Sequence, residues 1–518
     1  MKRGKLICMV TVVLLGAVLI LNTNVDFGSN TDTENFLVVG ALPGAKAKYI
    51  FFFIGDGMGL AQRNAAEIYL ASTKEGLAPE SVKLTMNSFP AQGMSTTYAA
   101  DRLITGSAAA ATALATGHKT NIGVLSMDPT KTMNFKTMAE MAKEKGMKVG
   151  IISSVSIDHA TPAGFYAHQP SRNNYYEIEI DLANSNFDYF GGGGFKKPNG
   201  PKGDQPSAFE IVRANGYTVV NSRAEFDRLS PGVGKVLAID PFLDSSKALY
   251  YEIDRNDEMI SLAEYTRKGI ELLDNPNGFF IMVEGGKIDW ACHANDATSA
   301  IIDTLAFDKA INEAVKFYRE HPKETLIVVT GDHECGGMTI GFAGTHYESF
   351  FEKIQHQQMS YIEFNKILQE YKETHTPDNA KFEDLIPVIQ DSFGLIVLSD
   401  KERTQLEVEK SESAKQKLSM VLADYEIQMI KDAFQMSMME KEVRSKDEQT
   451  YLIYGGYEPI TVALTHLLNQ KAGIGWTSYS HTGVPVPVSA IGVGSSTFNG
   501  YYDNTDIAKK IMFIGGLS

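Results

Sequence analysis

Four short apolar runs in this chain end on acidic or histidine residues, and no other feature constrains the fold as strongly. KYIFFFIGDGMG delivers Asp56. FFIMVEGGKIDWACH delivers Glu284, Asp289 and His293, and TLIVVTGDHE delivers Asp332 and His333. MKVGIISSVSIDHATPAG delivers Asp158, His159 and Thr161. Unbroken apolar runs of this length read as parallel strands buried on both faces. In an open α/β sheet the carboxyl ends of such strands line the ligand crevice. Oxygen and imidazole donors from separate segments then meet on one rim, which is how a site for several metal ions is assembled.

The rest of the chain fits that frame. From Lys48 to about Thr345, strand-like runs alternate with helical patterns at 137–148, 257–273 and Thr298–Arg319. This alternation predicts an α/β fold with a mainly parallel sheet. Residues 346–450 are rich in Glu, Lys, Gln and Met and poor in Gly, and they read as a helical insertion with solvated charged faces. Residues 451–518 return to mixed α/β, where VPVPVSAIGVG reads as a strand with edge prolines.

Lys2, Arg3 and Lys5 precede an apolar stretch from Leu6 to Leu21. Residues 1–22 therefore read as an export signal or an uncleaved N-terminal anchor, and 23–47 as a linker. The expected location is periplasmic or extracellular. A net charge of −15 argues against a nucleic-acid-binding surface, and any anion site must be locally positive. Of three cysteines, Cys8 lies in the N-terminal segment, while Cys292 and Cys335 lie inside metal-type motifs. The latter two would either pair in an oxidising compartment or stand as small buried thiols.

Ser107 opens an alanine-rich run, ITGSAAAATALATGHKT, that favours helix. A serine at such a position is either a helix cap or a group held beside an anion bound at the helix N-terminus. The blocks GDGMG (55–59), TGSAAAATALATGHKT (105–120), DHATPAGFYAHQPSRNNY (158–175), VEGGKIDWACH (283–293), TGDHE (330–334) and SHTG (480–483) together resemble the alkaline phosphatases, in the order that family keeps.

The resemblance implies a three-layer α/β/α sandwich, with 48–345 and 451–518 as the catalytic domain and 346–450 as a cap, crown or dimer element. It implies hydrolysis of phosphate monoesters through a phosphoserine at Ser107, fastest at alkaline pH, with inorganic phosphate as product and inhibitor. It implies two zinc ions and one magnesium per subunit of a homodimer. Asp56 would bridge zinc and magnesium, Asp332 and His333 would complete that zinc, and Asp289, His293 and His481 would hold the other. Thr161 and Glu284 would join Asp56 at magnesium, and Arg172 would clamp phosphate. Zinc's taste for imidazole and carboxylate, and magnesium's for oxygen, divide the donors the same way. Phosphodiester or sulfate ester hydrolysis, or phosphate binding without catalysis, are the competing functions.

Three positions depart from the commonest family pattern. Gly106 stands where an aspartate usually precedes the serine and orients the arginine, so a looser phosphate clamp is expected. His159 and Trp290 stand where some members have aspartate and lysine. A neutral imidazole would lend the magnesium position less negative charge than a carboxylate, and Asp158 is expected to be a bystander.

Overall fold

The computed structural model describes residues 46–73 and 82–517. The predicted N-terminal signal or anchor, and all but the last two residues of the predicted linker, lie outside them. Among the described residues no helix is long and apolar enough to cross a membrane.

The strands in chain order are β1 (Tyr49–Gly55), β2 (Ala91–Thr96), β3 (Lys148–Ser153), β4 (Tyr189–Gly192), β5 (Tyr217–Val220), β6 (Lys235–Ile239), β7 (Phe279–Gly285) and β8 (Thr325–Gly331). They continue with β9 (Glu334–Cys335), β10 (Thr339–Ile340), β11 (Ile474–Gly475), β12 (His481–Thr482), β13 (Val486–Gly492) and β14 (Gly500–Asp503). Ten form one sheet in the order β14-β2-β13-β8-β1-β7-β3-β4-β6-β5. The run from β8 to β5 is parallel throughout, and β13 is antiparallel to both of its neighbours.

Every residue of β1, β7 and β8 is buried. The reason is visible along β1. Ile50, Phe52 and Ile54 pack into a core shared with helices Ser107–Thr116, Met138–Glu144 and Asn504–Gly515. On the opposite face Phe51 and Phe53 lie 5.8 and 5.9 Å, ring to ring, from Phe317 and Phe307 of helix Ala297–Glu320. Helices on both faces make the α/β/α sandwich, and explain why these strands read as solid apolar runs. Truncating one of the fully buried phenylalanines would cost about 3–5 kcal/mol.

The predicted helices form as Met138–Glu144, Leu262–Leu273 and Ala297–Glu320. Gly146, at φ 78, ends the first of them short of its predicted limit and turns the chain into β3. Between 346 and 450 the described elements are α-helices and 3-10 turns. Helix Asp424–Met438 packs there on helix Pro459–Ala472, tied by Ser437 Oγ to Ile460 N at 3.0 Å and by Lys471 to Glu426 at 3.0 Å.

One reading needs correction. The strand with prolines, β13, is not an edge strand but lies inside the sheet between β8 and β2. Its ladder to β8 begins only at Val488, after Pro487. Pro487 therefore removes no donor from that ladder, while its carbonyl accepts from Arg63 and Thr330 at 3.3 Å each.

Candidate metal centre

The three central strands end level. Gly55 of β1 pairs with Gly285 of β7 and Gly331 of β8, so the segments that follow leave the sheet side by side. Gly57, at φ 74, lets the Asp56 turn fold over; a Cβ there would stand 2.8 Å from Asp289 Cα. At the end of β3, Ser153 is the register partner of Glu284, and its hydroxyl bonds the Glu284 carboxylate.

Asp289 and His293 are one turn apart on helix Lys287–His293, with Oδ2 and Nε2 3.4 Å apart. His481 reaches the same place through β12, which pairs with β9 and sets His481 opposite Cys335. His481 Nε2 lies 3.5 Å from Asp289 Oδ1 and 3.0 Å from His293 Nε2. Each ring meets a backbone carbonyl with its other nitrogen: His293 Nδ1 lies 2.7 Å from Tyr479 O, and His481 Nδ1 lies 2.8 Å from Thr105 O. A carbonyl only accepts, so each Nδ1 carries a proton, and the two Nε2 atoms meet at hydrogen-bonding distance. A proton or a metal ion must lie between the two Nε2 atoms for them to approach this closely.

His333 Nε2 stands 3.2 Å from Asp332 Oδ2, 3.3 Å from Asp56 Oδ1 and 3.5 Å from Ser107 Oγ. Its ring stacks on His481 at 3.5 Å. Asp332 is itself fixed, its Oδ1 accepting from Gly57 N at 3.1 Å and His333 N at 2.8 Å. Thr161 Oγ1 lies 3.4 Å from Asp56 Oδ2. Ser107 is the first residue of helix Ser107–Thr116, behind Gly106, which provides no side-chain cap.

The electrostatics ask for positive charge. Asp56, Glu284, Asp289 and Asp332 are all buried, and among the described residues Asp56 Oδ1, Glu284 Oε1, Asp289 Oδ1 and Asp332 Oδ2 have no hydrogen-bond donor. Burial first, then the Asp332 charge, pushes Asp56 far above the usual carboxylate range. Burial chiefly lifts Glu284 to about 8 and Asp332 to about 6. Burial also works to raise Asp289, but His293, His481 and His333 outweigh it and hold that carboxyl well down. Burial and the His481 charge depress His333. Unpaired buried carboxylates are costly unless cations satisfy them. The donor set therefore fits divalent metal ions.

The donors gather in three groups, each with its ligand atoms within 4.8 Å of one another: Asp289, His293, Cys335 and His481; Asp56, Asp289 and His333; and Asp56, His159 and Glu284. Every predicted metal-site residue is thus at the cluster, with Asp332 and Thr161 joined to it by the contacts above. Cys335 is closer than its motif suggested, and it and Cys292 are free, buried thiols. Burial raises both thiols well above their ordinary range.

Arg172 meets His159, Nη2 to Nε2, at 2.8 Å. Trp290 stands edge-on to His159 with ring centres 5.8 Å apart. Burial, then the Arg172 charge, holds the His159 imidazole well below its usual range and therefore neutral. Asp158 turns away and accepts from Lys196 N at 2.7 Å. Sequence reasoning missed the carbonyls of Thr105 and Tyr479, which carry no side-chain signal. It also missed Ser153, whose place at a strand end was a usable one.

The family model described as Alkaline phosphatase matches residues 47–190 and 195–517. Alkaline phosphatase 3 of Bacillus subtilis is 32% identical over 475 residues, covering 90% of this chain and 88% of that protein. The crystal structure of a cold-active alkaline phosphatase from Shewanella sp. is similar with a TM-score of 0.70 and 29% identity, covering 90% of this chain and 99% of that one. The Thermus thermophilus alkaline phosphatase shares the fold with a TM-score of 0.72 at 23% identity, over 92% and 93% of the two chains.

Proposed function

The chain belongs to the alkaline phosphatase family and is a phosphomonoester hydrolase, and from that premise we propose that Ser107 is its nucleophile at a centre of two zinc ions and one magnesium. The observation that carries the metal reading is the convergence of His293 Nε2 and His481 Nε2, 3.0 Å apart, on the Asp289 carboxylate. Asp289, His293 and His481 would hold one zinc. Asp56, Asp332 and His333 would hold the other, and Asp56, Thr161 and Glu284 the magnesium. Bound there, the metals would supply positive charge that favours an ionised hydroxyl and offsets charge on the phosphoryl oxygens.

The chain's own groups define the rest of the reaction. Ser107 Oγ attacks phosphorus in line, forming the serine O–P bond as the ester P–O bond breaks. The leaving alkoxide takes a proton from water and departs as the alcohol. A water oxygen then displaces Ser107 from phosphorus, giving inorganic phosphate and returning the serine. Arg172 binds two phosphoryl oxygens through its planar fork, and the uncapped end of helix Ser107–Thr116 turns N–H groups towards the same anion. Because Ser107 and the water act deprotonated, turnover rises towards alkaline pH.

Hydrolysis of a chromogenic monoester beside a diester, before and after chelation, tests this reading. Monoester activity that a chelator abolishes and zinc with magnesium restores supports it. Activity indifferent to chelation, or confined to the diester, contradicts it. Export is proposed on Lys2, Arg3 and Lys5 ahead of Leu6–Leu21 alone. N-terminal sequencing of the secreted protein tests it.

A further inference from the structure

Arg172 carries only donors, so in its 2.8 Å contact the Nε2 of His159 is the acceptor. That contact fixes the tautomer, with the His159 proton on Nδ1. Among the described residues Nδ1 is buried without a partner, and Arg172 is the one hydrogen-bonding partner of the ring. The ring has little freedom to leave. Its backbone is the N-cap of helix Ala160–Ala163, its N–H bonds Ser156 O at 2.8 Å, and Trp290 stands edge-on against it. Trp290 is itself braced by the Lys287 ammonium, 4.8 Å over its ring, and Lys287 is pinned by a buried ion pair to Asp244 at 2.8 Å.

A neutral imidazole has one lone pair. His159 also lies within reach of Asp56 and Glu284 as a metal donor, and it cannot serve a cation and Arg172 at once through that lone pair. The residue before Ser107 offers Arg172 nothing, because Gly106 has no side chain and a Cβ there would meet no atom within 4 Å.

We infer that His159 is the positioning residue for Arg172, spending its only lone pair on the guanidinium and leaving the third metal position to Asp56, Thr161 and Glu284. The inference rests on the reading of Arg172 as the phosphate clamp. It differs from a metal-ligand role in what each substitution does, because a glutamine Oε1 can stand in for Nε2 as acceptor while a leucine cannot.

The test measures phosphate affinity by calorimetry, metal content by elemental analysis, and KM and kcat for a monoester. It uses the metal-loaded full chain and the variants His159→Leu, His159→Gln, Arg172→Ala and His159→Leu/Arg172→Ala. Losing a hydrogen bond to a charged group predicts roughly tenfold weaker phosphate binding in His159→Leu, with KM rising more than kcat falls. Metal content should stay full, His159→Gln should bind within about threefold of the parent, and the double variant should be no weaker than Arg172→Ala alone. If Arg172→Ala weakens phosphate binding and His159→Leu does not, the inference falls while the clamp stands. If Arg172→Ala leaves phosphate binding unchanged, the clamp reading itself fails and takes the inference with it. If His159→Leu loses a metal equivalent and excess magnesium restores its affinity, His159 is a ligand and the inference is wrong.

Discussion

His293 and His481 face one another through Nε2 atoms 3.0 Å apart, after each ring has directed its Nδ1 proton to a backbone carbonyl. A metal ion seated between the rings would bind both Nε2 lone pairs at once. On the proposal that both rings serve the same cation, their removal should not add. Either His293→Ala or His481→Ala should lose about one zinc per chain, and the double variant should lose no more. Elemental analysis checks this. Loss of two equivalents in the double variant would place the rings on separate ions.

Metal removal should destabilise the fold as well as silence it. Four carboxylates are buried around the cluster, each with an oxygen lacking a donor among the described residues. A ligand at 1,000 times its dissociation constant contributes about 4 kcal/mol of stability. Thermal melts with and without chelator should therefore differ by several degrees or more, with zinc and magnesium reversing the change. Coincident melts would mean the cluster is satisfied without cations.

Gly106→Asp should be tolerated and should act on phosphate. The position has extended backbone at φ −119, and a new Cβ meets nothing within 4 Å. As an N-cap the aspartate adds at most about 1 kcal/mol to helix Ser107–Thr116. Beside Ser107 it offers an acceptor for the clamp that the parent lacks, so phosphate inhibition should tighten and product release should slow. An unchanged phosphate inhibition constant in a folded Gly106→Asp variant would remove the looser-clamp reading.

Acid stability should depend on His466. Its Nε2 meets Asn295 Oδ1 at 3.0 Å, and Asn295 in turn donates to the carbonyls of Cys292 and Ser478 at 2.8 and 2.9 Å, bracing the end of the helix that carries His293 and the segment just before His481. Burial holds the His466 imidazole down at about 4. In the unfolded chain it would take a proton near 6.5. Its contribution is therefore fully present above about 6.5 and is lost as pH falls towards 4, because the unfolded state binds the proton first. Denaturation at saturating zinc should show a shallower fall in stability over that window in His466→Gln, and equal slopes would contradict the assignment.

Much of the fold and site was legible because both depend on runs of adjacent residues. Phe51 to Phe53 announce a strand covered on both faces, and Asp56, Asp332 and the Asp289–His293 spacing follow from where strands and one helical turn end. What escaped depends on approach between distant segments. The Arg172–His159 contact joins two loops of one motif by a side-chain geometry no spacing encodes. The carbonyls of Thr105 and Tyr479 act through the backbone, which is the same for every residue. Pro487 misled because proline marks sheet edges in general, whereas here β13 begins two residues before its second ladder does.

The most direct measurement is the covalent state of Ser107 during turnover. Metal-loaded protein incubated with a monoester, quenched in acid and digested should carry phosphate on Ser107 and on no other residue. The label should vanish in Ser107→Ala and in chelated protein. Monoester turnover with no label on Ser107, or with label that persists in Ser107→Ala, would contradict the account.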